Sequence, residues 1–202
     1  MSIHIGVWGD SVAEGFKDDE MGGWISRLQA CLMGKKDYSI VNNRGVGGET
    51  SGHVLKRFDV EAEAILGPGI IVFAIGKNDS ARVCDVDEEQ FKNNLNKLIE
   101  KAQEFSKKIV FVGVGNVDES KTSPFPKGLR PYYVNERIEK YNSIIEKTCH
   151  ENKLRFVSTH GILDTDKDLF DEVHPNAVGH EKIFRKVLPV VEEMIGEAGN
   201  ES

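Results

Sequence analysis

The sequence predicts an α/β protein: a three-layer αβα fold with a parallel sheet of about five strands and helices on both faces. Five short apolar runs rich in β-branched residues have the length and composition of buried strands. They lie at residues 3–8, 38–41, 70–75, 109–114 and 154–157. Helical patterns alternate with these runs, and such alternation is typical of a parallel sheet with right-handed crossovers.

The helices are predicted from apolar residues spaced three and four positions apart, which place one face of each helix in the core. This spacing occurs around residues 24–32, 91–102 and 138–145, and a last helix is predicted over about 178–195. His53 is expected to open a further helix. Asp87, three residues before Gln90, resembles the start of a capping box.

Length and composition predict a single domain over residues 1–202. The 202 residues, at about 150 per domain, amount to roughly 1.3 domains. The net charge of -7 repels phosphate backbones and anionic lipid surfaces, so nucleic acid is a poor candidate partner. Cys31, Cys84 and Cys149 are odd in number and form no C-x-x-C pair, which disfavours a disulfide framework and a zinc site.

The sequence shows no secretion or membrane signal. Residues 1–9 lack a basic leader followed by a long apolar stretch and a cleavage site. The longest uncharged run, 64–76, contains two glycines and a proline before its end, and it is shorter than the roughly 20 residues that span a bilayer. We expect a cytoplasmic protein that does not insert into membranes.

Four short polar blocks follow predicted strands or lie near the chain end. They are GDS at 9–11, NNRGVGGET at 42–50, GKND at 76–79 and DEVH at 171–174. In an open α/β sheet, ligands bind outside the carboxyl ends of the strands, where the first three blocks are predicted to lie. Each block alone is typical of a turn or a helix cap, but their order resembles the SGNH or GDSL hydrolase family of esterases and lipases.

This resemblance implies a flavodoxin-like fold and a role for each block. Ser11 corresponds to the nucleophile, and Asp171 and His174 complete a catalytic triad. Gly48 and Asn78 correspond to oxyanion-hole donors, together with the backbone N–H of Ser11. No metal-ligand motif is found in the sequence, so neither a metal nor a cofactor is predicted. The predicted substrate is a small carboxylic ester.

The chemistry of these residue types agrees with the resemblance. A serine hydroxyl is a poor nucleophile at neutral pH and needs a neighbouring base, which His174 supplies. Asp171 lies three residues earlier, close enough to fold back and hold the useful tautomer of His174. Gly48 would let a backbone N–H approach a developing oxyanion, and Asn78 offers a side-chain amide.

Substrate-binding residues are less clearly indicated. Lys77 and Arg82 lie near the predicted site and are interpreted either as contacts for an anionic substrate or as surface charges. The polar loop 115–131 carries Phe125 and leads into Tyr132 and Tyr133. It is interpreted as a wall or lid of the acyl pocket, with a surface excursion as the alternative.

The sequence therefore predicts a metal-independent serine esterase that acts on a short-chain or acetyl ester through an acyl-enzyme. The alternative is a carbohydrate- or lipid-binding module on the same scaffold, since a fold alone does not determine function. Hydrolysis or acyl transfer, the acyl length, the leaving group and the oligomeric state remain open at this stage.

Overall fold

A computed structural model describes residues 3–35, 38–65, 67–82, 84, 86–122 and 133–199. The strands are β1 Ile3–Gly9, β2 Ser39–Gly45, β3 Ile70–Ala74, β4 Ile109–Val112 and β5 Arg155–Val157. The helices are α1 Ser11–Glu14, α2 Trp24–Met33, α3 Ser51–Ala64, α4 Lys77–Ser80, α5 Glu88–Phe105, α6 Glu119–Thr122, α7 Asn135–Glu151 and α8 Ala177–Gly199.

The five strands form one sheet in the order β2-β1-β3-β4-β5. Every neighbouring pair is parallel. This order is that of the flavodoxin-like doubly wound fold, in which the chain reverses its direction of travel between β1 and β3. The predicted fold class is confirmed.

Alternating side chains of the central strands fill two separate cores, one on each face of the sheet. Trp8, Phe73 and Phe111 belong to the core that also contains residues of α3, α5 and α7. Val7 and Val72 belong to the opposite core, together with residues of α2 and α8. Because both faces are buried, the strands are continuous apolar runs rather than alternating ones.

Strand β2 is longer than the sequence predicts and ends at Gly45, not at residue 41. Residues 42–45, which we expected to follow the strand, therefore lie within it. They pair in register with β1 out to Gly9 and Gly45. Strand β2 lies at the edge of the sheet, where one side is unpaired and only partly covered, so it can carry polar residues such as Asn43 and Arg44.

Helix α3 is indicated in the sequence only by His53, yet it runs for 14 residues. Val54, Phe58 and Ala62, four residues apart, bury one stripe of it against the sheet. Within the described ranges, no helix combines the length and the apolar composition that crossing a bilayer requires.

Candidate active site

The predicted site residues come from four segments that meet at the carboxyl edge of the sheet. Ser11 opens α1 directly after β1, and Asn78 lies in α4 after β3. Gly48 lies in the loop between β2 and α3, while Asp171 and His174 share the turn before α8. Hydrogen bonds between these segments hold them together.

Ser11, His174 and Asp171 form a hydrogen-bonded chain. Ser11 Oγ lies 3.1 Å from His174 Nε2. On the other side of the ring, His174 Nδ1 lies 2.9 Å from Asp171 Oδ2. Both distances allow hydrogen bonds, and the histidine is placed between a hydroxyl and a carboxylate.

The Asp171 carboxylate is held by its own turn as well as by the histidine. Its Oδ1 accepts the backbone N–H groups of Val173 at 2.8 Å and of His174 at 2.7 Å. Burial alone would raise the pKa of Asp171, but these hydrogen bonds and the His174 ring outweigh it and lower the pKa. The group is therefore an anion with a fixed orientation.

Ser11 is positioned by a tight strand-to-helix turn. The Asp10 side chain caps α1 by accepting the backbone N–H of Val12 at 2.9 Å. Gly9 must lack a side chain here, because a Cβ would fall on Ala13 and on the Ala74 carbonyl. The turn leaves Ser11 at the first position of a helix, where backbone N–H groups have no partner within the helix.

Asn78 has a fixed amide orientation. Its Nδ2 donates to the Glu49 carbonyl at 2.9 Å, and its Oδ1 accepts the Tyr133 hydroxyl at 2.7 Å. Since the amide nitrogen carries two hydrogens, one remains for another acceptor. Tyr133 is 5% exposed, and burial raises its pKa, so the hydroxyl keeps its proton as a donor. The sequence indicates Tyr133 only through its position directly after the long loop.

Gly48 lies in an exposed loop that is attached to α1. Gly48 has a φ of +80°, a left-handed conformation that favours glycine, and no atom lies within 4 Å of a Cβ built there. The neighbouring Gly47 donates its backbone N–H to Glu14 Oε2 at 2.9 Å. A Cβ at Gly47 would lie 3.8 Å from Ser11 Cβ, which places this loop beside the serine.

Asp79 joins the segment of Asn78 to the start of α3. Its carboxylate accepts both the backbone N–H, at 3.0 Å, and the hydroxyl of Ser51. Burial raises the pKa of Asp79, and the two hydrogen bonds from Ser51 act against this. Asp79 therefore fixes the start of α3 against the segment that carries Asn78.

Lys77 is buried, so its interpretation as a surface charge is wrong. The side chain is 4% exposed, and Nζ donates to the Val173 carbonyl at 3.1 Å, inside the turn that carries His174. Burial lowers its pKa to about 8, although Asp10 and Asp171 act in the opposite direction. Burial also raises the pKa of Asp10 to about 6. The buried Lys77 ammonium therefore stabilises the turn that carries His174 and is not placed to contact a substrate.

Arg82 and Phe125 are the other two residues that the sequence suggests for substrate binding. Arg82 is exposed just after α4, where it lines a surface groove with Glu88, Val134 and Arg137. Phe125, with the rest of residues 123–132, lies outside the described residues. The lid interpretation of this loop therefore remains a prediction.

Metal chemistry and thiol chemistry are the alternatives to a serine nucleophile. In the described part of the chain, no three His, Cys, Asp or Glu side chains come together as a possible metal site. Cys149 is buried late in α7, and burial raises its pKa to about 12, which disfavours a thiolate at neutral pH.

His180 is a buried neutral histidine that supports the loop beside the site. Its Nδ1 accepts the backbone N–H of Trp24, and its Nε2 lies 3.3 Å from the Phe16 carbonyl. Burial lowers its pKa from 6.5 to about 4. Between these values the unfolded chain binds a proton that the native ring does not, so His180 makes stability fall as the pH falls through this window.

We expect the unfolding free energy of His180→Gln to depend less on pH, between pH 6.5 and 4, than that of wild type. In wild type, the protonation of His180 in the unfolded chain lowers the unfolding free energy by roughly 2–3 kcal/mol as the pH falls from 6.5 to 4. Denaturant unfolding at several pH values measures this slope. His150→Gln, at the exposed end of α7, is the matched control. An unchanged slope in His180→Gln would contradict the assignment of a neutral buried ring.

Comparisons with solved structures show the same fold. A variant of Axe2, an acetyl xylan esterase from Geobacillus stearothermophilus, superposes with a TM-score of 0.76 at 19% identity, and 93% of each chain is covered. LAE5, an alpha/beta hydrolase enzyme from the metagenome of Lake Arreo in Spain, gives a TM-score of 0.75 at 17% identity, with 94% of this chain and 95% of LAE5 covered.

Comparisons of sequence identify the family. The chain is 31% identical over 175 residues to a multidomain esterase from Ruminococcus flavefaciens, and this match covers 85% of the chain and 19% of that relative. The chain thus spans about a fifth of the relative's length. The GDSL-like lipase/acylhydrolase family matches residues 7–182, which include all four polar blocks. This chain belongs to the GDSL-like lipase and acylhydrolase family.

Proposed function

We propose that this protein is an ester hydrolase of the serine esterase type, with Ser11 as nucleophile, His174 as general base and Asp171 as the carboxylate that orients His174. The observation that carries the proposal is the continuous chain from Ser11 Oγ through the His174 ring to Asp171, with spacings of 3.1 and 2.9 Å. Such a chain is what an unactivated serine hydroxyl needs in order to attack a carbonyl.

In the first half of the reaction, Ser11 Oγ attacks the ester carbonyl carbon while its proton passes to His174 Nε2. The carbonyl π electrons move onto oxygen and form a tetrahedral oxyanion. The backbone N–H groups of Ser11 and Gly48 and the second amide hydrogen of Asn78 are the proposed donors to it. Asp171 stabilises the imidazolium that forms.

Collapse of the tetrahedral species breaks the bond to the alcohol, and His174 Nε2 returns its proton to the departing oxygen. Ser11 then carries the acyl group as an ester. A water molecule repeats the sequence, with His174 taking its proton, and releases the carboxylic acid and Ser11. Every group in this scheme is a protein group or water, so we propose a metal-independent reaction that uses no cofactor.

The proposed substrate is an acetyl or other short-chain ester of a small molecule. This choice is supported by Axe2, an acetyl xylan esterase whose catalytic mutants replace a serine, an aspartate and a histidine. The hydrogen-bonded Ser11–His174–Asp171 chain favours an enzyme over a binding module with little turnover, because binding alone needs no activated hydroxyl.

A labelling experiment tests the proposal. We expect the protein to hydrolyse p-nitrophenyl acetate and to be inactivated by an organophosphonate ester, with the phosphonyl group on the peptide that contains Ser11. Peptide mass spectrometry locates the adduct, and EDTA treatment in parallel is expected to leave the rate unchanged. Modification elsewhere, or loss of activity that a divalent cation restores, would refute the proposed mechanism.

We expect Asn78→Ala to lower kcat by about 10² to 10³ with little change in KM, because an oxyanion donor acts on the transition state. Tyr133→Phe removes the hydrogen bond that orients the Asn78 amide but keeps the donor, so we expect a smaller loss, also in kcat. Steady-state kinetics separate the two parameters. Asn93→Ala, exposed on α5, is the matched control. A kcat within a few-fold of wild type in folded Asn78→Ala would show that Asn78 is not a donor.

A further inference from the structure

Two exposed phenylalanines and a lysine form a cluster against the active-site histidine. The Phe16 ring meets the His174 ring edge to face, with centroids 4.8 Å apart. Lys17 Nζ lies 4.6 Å from the centroid of Phe16 and 4.5 Å from that of Phe170. The two phenylalanines are 44% and 61% exposed. We call Phe16, Lys17 and Phe170 the aromatic clamp.

The backbone of the clamp is fixed by the active site itself. Phe16 donates its N–H to the Ser11 carbonyl at 3.0 Å, and its own carbonyl faces His180. Phe170 donates its N–H to the His174 carbonyl at 2.8 Å. These bonds attach one ring to the turn of the nucleophile and the other to the turn of the base.

Lys17 has a φ of +71°, a left-handed conformation that is uncommon for a residue with a long side chain. Such strain persists only where the surrounding structure holds it, and it is concentrated at binding and catalytic sites. Directly after it, the Asp18 carboxylate accepts the backbone N–H of Gly23 at 2.8 Å and pairs with Arg27. The Phe16 part of the clamp is therefore exposed on a rigid loop, which is typical of a binding surface rather than of a disordered segment.

The chemistry of ester cleavage determines which part of the substrate this surface faces. His174 Nε2 must return its proton to the departing alcohol oxygen, so the alcohol lies on the histidine side of Ser11. The proposed oxyanion donor Asn78 comes from a different segment, α4, tied to the Gly48 loop. Since Phe16 packs on the His174 ring, the clamp lies beside the alcohol rather than beside the oxyanion.

We infer that the aromatic clamp is the binding site for the alcohol part of the ester, and that it takes a ring-shaped alcohol. A rigid ring covers a phenylalanine face at little cost in conformational entropy, whereas a flexible alkyl alcohol gains less from the same surface. A sugar ring and a phenol share this shape. They differ in that neighbouring sugar hydroxyl groups can also accept hydrogen bonds from the Lys17 ammonium.

The inference rests on the proposed function, and a series of acetate esters tests it. The acyl group is kept constant while the alcohol varies: a monoacetylated methyl pyranoside, phenyl acetate and ethyl acetate. For Phe16→Ala and Phe170→Ala we expect the kcat/KM ratio of ring to ethyl ester to fall about five-fold relative to wild type. Lys17→Met distinguishes a sugar from a phenol as the alcohol. If the Lys17 ammonium binds sugar hydroxyl groups, this variant lowers the kcat/KM ratio to ethyl acetate for the pyranoside ester but not for phenyl acetate.

The controls separate this inference from the proposed function. Tyr38→Ala removes an exposed aromatic ring at the amino end of β2, away from the site, and we expect it to leave the ratio unchanged. Circular dichroism verifies folding, and Phe170 is exposed enough that its loss should not unfold the chain. If wild type hydrolyses the esters but neither phenylalanine variant changes the ratio, the inference is wrong. An equal loss of kcat/KM for all three esters would also overturn it, whereas a wild type without activity contradicts the proposed function.

Discussion

Ser11→Ala is expected to lower kcat by about 10⁶, the largest effect of any single substitution considered for this chain. The variant keeps the fold, because alanine is a good helix former at the first position of α1 and the Asp10 cap contacts the backbone of Val12 rather than Ser11. It loses only the hydroxyl that lies 3.1 Å from His174 Nε2. Turnover of p-nitrophenyl acetate, with thermal unfolding in parallel, measures both consequences.

The residual rate of this variant is informative. The proposed oxyanion donors, which are the backbone N–H groups of residue 11 and Gly48 and the amide of Asn78, do not involve the hydroxyl. They remain in place and should keep hydrolysis above the rate in water alone. Ser143→Ala, which removes an exposed hydroxyl on α7, should retain full activity. A Ser11→Ala rate within a hundred-fold of wild type, or phosphonate labelling that persists in this variant, would mean that the nucleophile lies elsewhere.

The sequence predicted the sheet well because its strands carry strong local signals. Strands β1, β3 and β4 are buried on both faces, so their apolar runs stand out against polar flanks. Edge strand β2 is covered less completely and is held by its register with β1, which no local pattern reports. Its polar residues 42–45 therefore resembled a loop.

The candidate site was predictable where its chemistry depends on short motifs. Asp171 and His174 are three residues apart, and each polar block follows a strand or precedes a helix. Contacts between distant segments were not predictable in this way. The bond from Tyr133 to Asn78 joins residues 55 positions apart, and Lys77 reaches Val173 across 96 positions. Only the folded chain shows that Lys77 is buried under the active-site turn.

Asp171→Asn is expected to lower kcat by about 10⁴ while leaving the position of His174 nearly unchanged. The reason lies in the two roles of this carboxylate. One oxygen accepts the N–H groups of Val173 and His174, and the other faces His174 Nδ1 at 2.9 Å. In the asparagine variant, the side-chain carbonyl oxygen must take the place of Oδ1, which accepts the two backbone N–H groups. An NH₂ group in that place would face two donors.

The asparagine NH₂ group then points at His174 Nδ1 and makes this nitrogen an acceptor. The ring proton moves to Nε2, which can no longer take the proton of Ser11. Asp166→Asn, with the same charge change on an exposed loop, is the control and should keep wild-type kcat. A loss of less than about ten-fold in folded Asp171→Asn would show that the packing of Phe16 and the backbone of the turn orient His174 without the carboxylate.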